Sequence, residues 1–227
     1  MSGFPQKCPS RRNDWKGEIL FTRPEYEKIS TSWRQWIVAF VLFVLTSLSA
    51  SLAGLFFIFG TLSLNSVRLV LEKPEIIFYG LLYSAPLLAI LLAHEMGHYI
   101  ACWYYGIRCT PPYFIPLPVS ITGTLGAFIK IQSPFVSKRA LFDVGIAGPL
   151  AGFIVTCPVL ILGIAGSRIE PVEYALTSEI FFGEPLLFRF LAAIILDYDP
   201  SANTLLAGPV AMAAWFGLLV TSLNLLP

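Results

Sequence analysis

Two histidines and a glutamate, in the sequence His94-Glu95-Met96-Gly97-His98, carry the clearest chemistry of this chain. They include the only two histidines among its 227 residues. Residues four apart share one face of a helix, so both imidazoles can reach one metal ion, with Glu95 beside it. Zinc held in this way lowers the pKa of a bound water toward about 7, and a carboxylate can then accept its proton. These five residues therefore predict a hydrolytic metal centre.

The surroundings of this motif favour a functional site over an incidental match. The run from Ile76 to Ala93 contains no charged residue, which places the motif inside a predicted membrane span. Ionisable residues within a span are costly and are functional by default. A transporter that moves protons or metal through these histidines is an alternative, although no internal inverted repeat supports it.

Composition predicts a multi-pass membrane protein. Hydrophobic residues make up 56% of the chain and charged residues 13%, whereas a soluble protein has about 25% charged residues. The net charge of +1 gives no global field that would attract nucleic acid, so we expect no nucleic-acid partner. The four cysteines have no CxxC spacing, which predicts free thiols and no disulfide framework.

The apolar runs predict an all-α polytopic fold with about four transmembrane helices. A polar tail, residues 1–35, precedes a membrane-embedded core, residues 36–227. The predicted spans are residues 36–60, 76–105, 140–166 and 204–227. The segment 167–203 is expected to be a polar loop with a short apolar piece.

Between the second and third spans we expect a membrane-associated strand or hairpin. Prolines exclude one continuous helix there: Pro111, Pro112, Pro116, Pro118 and Pro134. The stretch from Leu125 to Ile131 has the composition of a strand. Its backbone groups cannot face lipid unpaired, so it must pack against protein or line a cavity. A free edge of such a strand can pair with an extended peptide.

Lysine and arginine counts predict a cytoplasmic N-terminus. In that arrangement the inner segments, 1–35 and 106–139, carry eleven basic residues, against four in the outer segments, 61–75 and 167–203. The histidines then lie in the cytoplasmic half of the second span. We expect an integral, multi-pass protein of the cell membrane, surrounded by the lipid bilayer.

Other polar residues in or near the spans leave the rest of the site open. Catalytic zinc typically has three protein ligands and a water. Asp143, the only other acid in a predicted span, is either a ligand or a cap for backbone groups. Asp197 and Asp199 fall in a loop on the opposite side. Asn224 either bonds between helices or donates to a developing oxyanion or a bound peptide.

Three motifs in a fixed order carry a resemblance to a known family. They are His94 to His98, Ala147-Gly148-Pro149-Leu150-Ala151-Gly152 in the next span, and Leu223-Asn224-Leu225-Leu226-Pro227 in the last. With the strand Gly-Thr-Leu-Gly-Ala-Phe between them, they cover about residues 76 to 227. The chain resembles the site-2 proteases, intramembrane zinc metalloproteases of peptidase family M50, in the branch of bacterial and plastid members. The resemblance implies hydrolysis of peptide bonds in transmembrane segments of substrate proteins.

The resemblance also assigns roles to individual residues. It makes His94 and His98 ligands of Zn²⁺, Glu95 the catalytic base, and Asn224 an aid to substrate or transition-state binding. It places four residues in a strand that pairs with the unwound substrate: Gly123, Thr124, Leu125 and Gly126.

The chain departs from the family's pattern in two places. The family's third ligand is the aspartate of a Leu-Asp-Gly motif a few residues past the Asn-Leu-Leu-Pro sequence. The chain ends at Pro227, so we expect a C-terminally truncated copy with its third ligand beyond that residue. The alternative is a catalytically inactive, protease-like membrane protein. Gly152 stands where many members carry an asparagine, and this weakens the resemblance little.

Overall fold

The computed structural model describes residues 32–59, 68, 70–135, 137–171, 183, 185–196, 198 and 203–224. Its elements, in chain order, are α1 (Trp33–Phe59), a 3₁₀ turn (Pro74–Ile76), α2 (Ile77–Tyr104), β1 (Tyr113–Pro116), β2 (Thr124–Phe128), α3 (Lys138–Ala165), β3 (Arg168–Pro171), α4 (Leu186–Leu196), β4 (Asn203–Leu206) and α5 (Pro209–Leu223). The predicted polar tail lies almost wholly outside the described residues. The described chain is therefore mostly helical, with two small antiparallel strand pairs.

Three helical stretches of the described chain are long and apolar enough to cross a membrane. They are Trp33–Leu55, Pro74–Tyr104 and Lys138–Ala165. Their bounds lie close to those of the first three predicted spans. The fourth prediction is met only by a shorter helix, α5, whose 15 residues extend about 22 Å at 1.5 Å per residue. It begins later than predicted because residues 203–206 form β4 and Pro209 occupies the first turn of the helix.

Small residues let α1 and α2 approach closely. The hydroxyls of Ser51 and Ser84 are hydrogen-bonded across the contact at 2.8 Å. A Cβ atom at Gly80 would overlap the backbone of Ser51, and one at Gly54 would lie 2.8 Å from Tyr83 Cβ. Such close backbone contact is typical of membrane helices, where packing replaces the hydrophobic effect between helices. It fixes α2 against α1 along its first half.

Helix α2 ends in a Schellman motif that returns the chain toward the core. Gly106 has φ +65°. Its N–H donates to Trp103 O at 3.1 Å, and Ile107 N–H donates to Cys102 O at 2.8 Å. Buried Ile107 packs with the free thiols Cys102 and Cys109. This turn directs the following segment back beside the histidine-bearing end of α2.

The predicted strand between the second and third spans is present as half of a hairpin. β2 pairs antiparallel with β1, with Tyr113 opposite Phe128 and Ile115 opposite Gly126. The hairpin loop is held on α1, since Ser49 Oγ donates to Gly123 O at 2.6 Å. Gly123 has φ +73°, and a Cβ there would overlap Ala50. β1 packs on α1 while β2 lies against α2, so the hairpin stands beside the histidine helix.

The prediction of a polar loop for residues 167–203 is wrong at its ends. β3 pairs antiparallel with β4, with Arg168 opposite Leu206. Within the loop, α4 buries Phe188 and Ala192 in a cluster with Leu160 and Ile164 of α3. The partners in this strand pair are more than thirty residues apart, and local composition does not reveal such pairing.

Candidate metal centre

The Nε2 atoms of the two histidines in α2 face one shared position. His94 Nε2 and His98 Nε2 lie 3.2 Å apart. Two nitrogens that bind one tetrahedral zinc at about 2.0–2.1 Å are about 3.3 Å apart. The spacing of four residues on a helix produces this convergence, as the sequence predicted. The donor pair therefore fits a shared zinc ion.

Helix α3 fixes the orientation of His98. His98 Nδ1 lies 2.7 Å from the backbone oxygen of Val144. A carbonyl can only accept, so Nδ1 carries the proton and Nε2 keeps its lone pair for a metal. The ring also lies against Gly148, where a Cβ atom would overlap it. The glycine of the Gly148-Pro149 sequence thus makes room for this imidazole.

The second imidazole, that of His94, lies deeper than His98. Its residue is 1% exposed, and its Nε2 lies 3.0 Å from the side-chain nitrogen of Asn224, the C-cap residue of α5. Its Nδ1 has no hydrogen-bond partner among the described residues. Gly152 lies beside the ring, since a Cβ built there would be 3.1 Å from Nδ1. Helices α3 and α5 therefore enclose this imidazole.

Glu95 lies on the side of the histidines that faces the hairpin. It is 7% exposed, and the backbone amide of Ile129 donates a hydrogen bond to its carboxylate. Together with both histidines and Asn224, Glu95 lines a cavity of about 370 Å³. The opposite wall is the end of β2 and the residues that follow, Ala127 to Ile129 and Ile131. The structure thus brings four of the predicted site residues together.

The cavity wall includes one edge of the extended segment. Lys130 O accepts from Thr110 N–H at 3.0 Å, and Gln132 N–H donates to Arg108 O at 2.7 Å. Backbone groups alternate in direction along an extended chain, so those of Ile129 and Ile131 face away from this pairing, toward the cavity. The predicted strand, Leu125 to Ile131, included these residues, but the four named singly for peptide binding were Gly123 to Gly126. Composition does not reveal which part of a strand edge faces the histidines.

The four strand residues named from the sequence lie outside the cavity wall. Gly123 packs on α1, and Thr124 Oγ1 donates to Ile115 O at 2.9 Å, which stabilises the hairpin. Leu125 is 67% exposed, and Gly126 has φ +102° with open space around it. The start of β2 holds the hairpin in place, while its end faces Glu95.

Asp143 does not join the histidines. It accepts a hydrogen bond from the Tyr105 hydroxyl and lies 3.6 Å from Arg139 Nε. Both Asp143 and Tyr105 line a separate cavity of about 470 Å³ between α2 and α3. The hydrogen bond to the Asp143 carboxylate raises the pKa of Tyr105. The ligand hypothesis for Asp143 therefore has no support in this geometry.

No third metal ligand joins the pair within the described part of the chain. No group of three or more His, Cys, Asp or Glu side chains there is arranged to hold a metal ion. Asp197, Asp199 and the residues after Asn224 are outside the described ranges. The described centre thus comprises two imidazoles, one carboxylate and one amide.

Three curated plant proteins are similar to this chain. "Probable zinc metalloprotease EGY1, chloroplastic" of Oryza sativa subsp. japonica is 34% identical over 148 residues, which are 62% of this chain and 24% of that protein. The Arabidopsis thaliana protein of the same name is 30% identical over 214 residues, 87% of this chain and 38% of that protein. "Probable zinc metalloprotease EGY2, chloroplastic" of Oryza sativa subsp. indica is 29% identical over 92% of this chain and 37% of that protein.

The chain spans about a quarter to two fifths of the length of these relatives. No solved structure matches it. The family model described as Peptidase family M50 matches residues 82–227, which include both histidines, Glu95, the Gly148-Pro149 sequence and Asn224. The match covers well over half of the chain, and the chain belongs to peptidase family M50.

Proposed function

We propose that this protein is an intramembrane zinc metalloendopeptidase that hydrolyses peptide bonds in transmembrane segments of other proteins. The observation that carries the proposal is the 3.2 Å approach of His94 Nε2 and His98 Nε2 next to buried Glu95. The names of the relatives, zinc metalloproteases, support both the metal and the reaction. The apolar helix α2, which carries the site, supports a location within the bilayer.

His94 and His98 are the proposed zinc ligands from this chain. A third ligand is proposed to come from outside the described residues. When bound, zinc polarises the scissile carbonyl and makes water acidic enough to react near neutral pH. The Val144 carbonyl keeps His98 in the tautomer that this role needs.

Glu95 is the proposed proton carrier. Its carboxylate accepts the proton of the attacking water and passes it to the nitrogen of the leaving amine. The hydrogen bond from the backbone amide of Ile129 holds the carboxylate at the cavity wall. The Asn224 amide, 3.0 Å from His94 Nε2, is close enough to the reacting centre to stabilise a developing oxyanion.

The substrate segment is proposed to bind as an extended strand along the edge that includes Ile129 and Ile131. A helical peptide bond is shielded by its neighbours, so a transmembrane segment must unwind before cleavage. Its exposed backbone groups then need partners inside the membrane, and a strand edge supplies them. The basic-residue counts support a proposed position of this site in the cytoplasmic half of the bilayer. The cell membrane remains a prediction, because these relatives are named chloroplastic.

The test is cleavage of a transmembrane substrate by the full-length protein in lipid nanodiscs. We expect Glu95→Gln to lower the rate by about 100- to 10,000-fold while zinc stays bound. The exposed Glu75, which lies in the 3₁₀ turn, gives a matched control, and Glu75→Gln should cleave at the wild-type rate. A chelator should abolish cleavage, and added zinc should restore it.

Three results would contradict parts of the proposal. Cleavage by Glu95→Gln at the wild-type rate would show that Glu95 is not the base. A wild-type protein that binds zinc but cuts no transmembrane substrate would favour the inactive, protease-like alternative. If the protein reconstituted in liposomes transported protons or metal ions across the membrane, and His94→Ala did not, a transporter would be favoured.

A further inference from the structure

The unpaired nitrogen of His94 points to a residue that neither motif nor family membership assigns. A metal-binding imidazole commonly donates its second ring N–H to an acceptor, which fixes its orientation. His98 meets this requirement through the Val144 carbonyl. His94 Nδ1 is buried, yet it has no hydrogen-bond partner among the described residues. An N–H left unpaired in such a place is costly, so an acceptor should lie close by.

The hydroxyl of Thr221 lies beside the same glycine as this nitrogen. The position that a Cβ of Gly152 would occupy lies 3.1 Å from His94 Nδ1 and 3.3 Å from Thr221 Oγ1. The absence of a side chain at Gly152 thus leaves the imidazole and the hydroxyl facing the same small space. Thr221 is 4% exposed, so bulk water does not compete there.

The hydroxyl of Thr221 is free to accept. Its proton is already used, because Thr221 Oγ1 donates to Gly217 O at 2.7 Å. The oxygen lone pairs remain for an incoming N–H. A small rotation of the threonine, or one bridging water, joins the two groups across the space beside Gly152.

A second threonine, Thr156 of α3, makes the equivalent contacts with α5 and provides a matched control for Thr221. Thr156 Oγ1 donates to Gly152 O at 2.7 Å, as Thr221 does to Gly217 O. Thr156 also packs over Gly217, whose Cβ position lies 3.3 Å from the Thr156 hydroxyl. Both threonines are buried and make the same bond four residues back. Of the two hydroxyls, that of Thr221 is the nearer to the Cβ position of Gly152, which lies beside His94 Nδ1.

We propose that Thr221 is the positioning residue for His94, and that its hydroxyl accepts the Nδ1–H and so directs Nε2 toward the metal. This proposal rests on the proposed function, in which His94 holds zinc. The two ligands then differ in kind: a backbone carbonyl orients His98, and a side-chain hydroxyl from α5 orients His94. The position of α5 is thereby coupled to the geometry of the metal site.

The test compares zinc affinity in full-length protein in nanodiscs, measured by competition with a chromophoric chelator. Thr221→Val removes the hydroxyl and keeps the shape, and we expect zinc to bind about 10- to 100-fold more weakly. Thr221→Ser keeps the hydroxyl and should bind as the wild type does. Thr156→Val removes the matched hydroxyl and should also bind as the wild type does. The ligand-field spectrum of the cobalt-substituted protein should change in Thr221→Val and not in the other two.

Four results separate the alternatives. Equal zinc affinity in Thr221→Val and the wild type would overturn this proposal and leave the proposed function intact. Equal weakening in Thr156→Val and Thr221→Val would also overturn it, because loss of helix packing would then explain the effect. A wild-type protein that binds no zinc would overturn the proposed function, and this proposal with it. Thermal unfolding of the metal-free variants should show similar losses for both valine substitutions, and a much larger loss for Thr221→Val would overturn the positioning role.

Discussion

The two flanks of the histidine pair are built differently. On the flank of His98, the N-terminal half of α3 fixes the ring by its backbone, through the Val144 carbonyl and the close approach at Gly148. On the flank of His94, side chains surround the ring: Asn224 lies at Nε2, and Thr221 lies near the space beside Nδ1. A carbonyl in a helix changes little when one side chain is replaced. Substitutions should therefore disturb the two imidazoles by different routes.

This difference follows from how each helix meets α2. α3 crosses α2 so closely that a Cβ at Gly97 would overlap the Ala147 carbonyl. Small residues permit backbone contact at this crossing, where Gly97 of α2 lies against Ala147 and Ala151 of α3. α5 approaches α2 through larger residues, with Phe216 beside Tyr83 and Leu87 in one buried cluster. Contact through side chains lets Asn224 at the end of α5 reach His94.

The largest effect on zinc affinity is expected from Gly148→Ala, which disturbs the flank of His98, where the backbone of α3 holds the ring. Its Cβ would overlap the His98 ring, so the imidazole must leave the Val144 carbonyl. We expect zinc affinity to fall by about 100-fold or more, measured by chelator competition. Gly166→Ala at the C-cap of α3 is the control, since its Cβ meets its nearest atom at 3.5 Å. Unchanged zinc affinity in Gly148→Ala would show that His98 is not held as described.

Local patterns predicted the elements that carry the site. An uncharged run of sufficient length predicted α2, and the spacing of His94 and His98 predicted their shared face. The Ala147 to Gly152 sequence entered only through the resemblance, and the structure adds what its glycines do: they make room for both imidazoles. Two roles were open for Asn224, and the structure shows its amide 3.0 Å from His94 Nε2, which is a contact between α5 and α2. Its role at a developing oxyanion stays a prediction.

Non-local pairing could not be predicted in the same way. β1 contains Pro116 and follows Pro111 and Pro112, so its composition does not favour a strand, yet it pairs with β2. β4 occupies residues that continue the apolar run of α5, and its pairing with β3 takes them out of the predicted helix. The acceptors around the histidines, a Val144 carbonyl and a Thr221 hydroxyl, have no sequence signature. They become visible only when α3 and α5 are packed on α2.

A smaller effect on zinc affinity is expected from Gly152→Ala, which disturbs the flank of His94. The new Cβ would lie 3.1 Å from His94 Nδ1 and 3.3 Å from Thr221 Oγ1, tighter than ordinary van der Waals contact. A shift of a few tenths of an ångström relieves this strain, at a cost of about 1–3 kcal/mol. We expect zinc affinity to fall about tenfold, which corresponds to about 1.4 kcal/mol. A loss as large as that in Gly148→Ala would remove the proposed difference between the flanks.

The smallest effect on zinc is expected at Asp143, which directly precedes Val144 in sequence but lines a separate cavity. Asp143→Asn and Tyr105→Phe should both keep wild-type zinc affinity, and a loss in Asp143→Asn alone would revive its role as a ligand. Their effect should appear in alkaline stability instead. The hydrogen bond to Asp143 raises the pKa of Tyr105 in the folded protein, so the folded state holds the phenol proton more tightly than the unfolded state.

That stabilisation should be fully present below about pH 10 and lost as the pH rises through the raised pKa of Tyr105. Thermal unfolding from pH 8 to pH 11 should therefore show a wild-type melting temperature that falls toward that of Tyr105→Phe. Arg139, 3.6 Å from the Asp143 carboxylate, opposes the shift, so Arg139→Gln should move the decline to still higher pH. A constant difference between wild type and Tyr105→Phe across this range would show that the phenol makes no such bond, and the end of α2 would then be held by its Schellman motif and apolar packing alone.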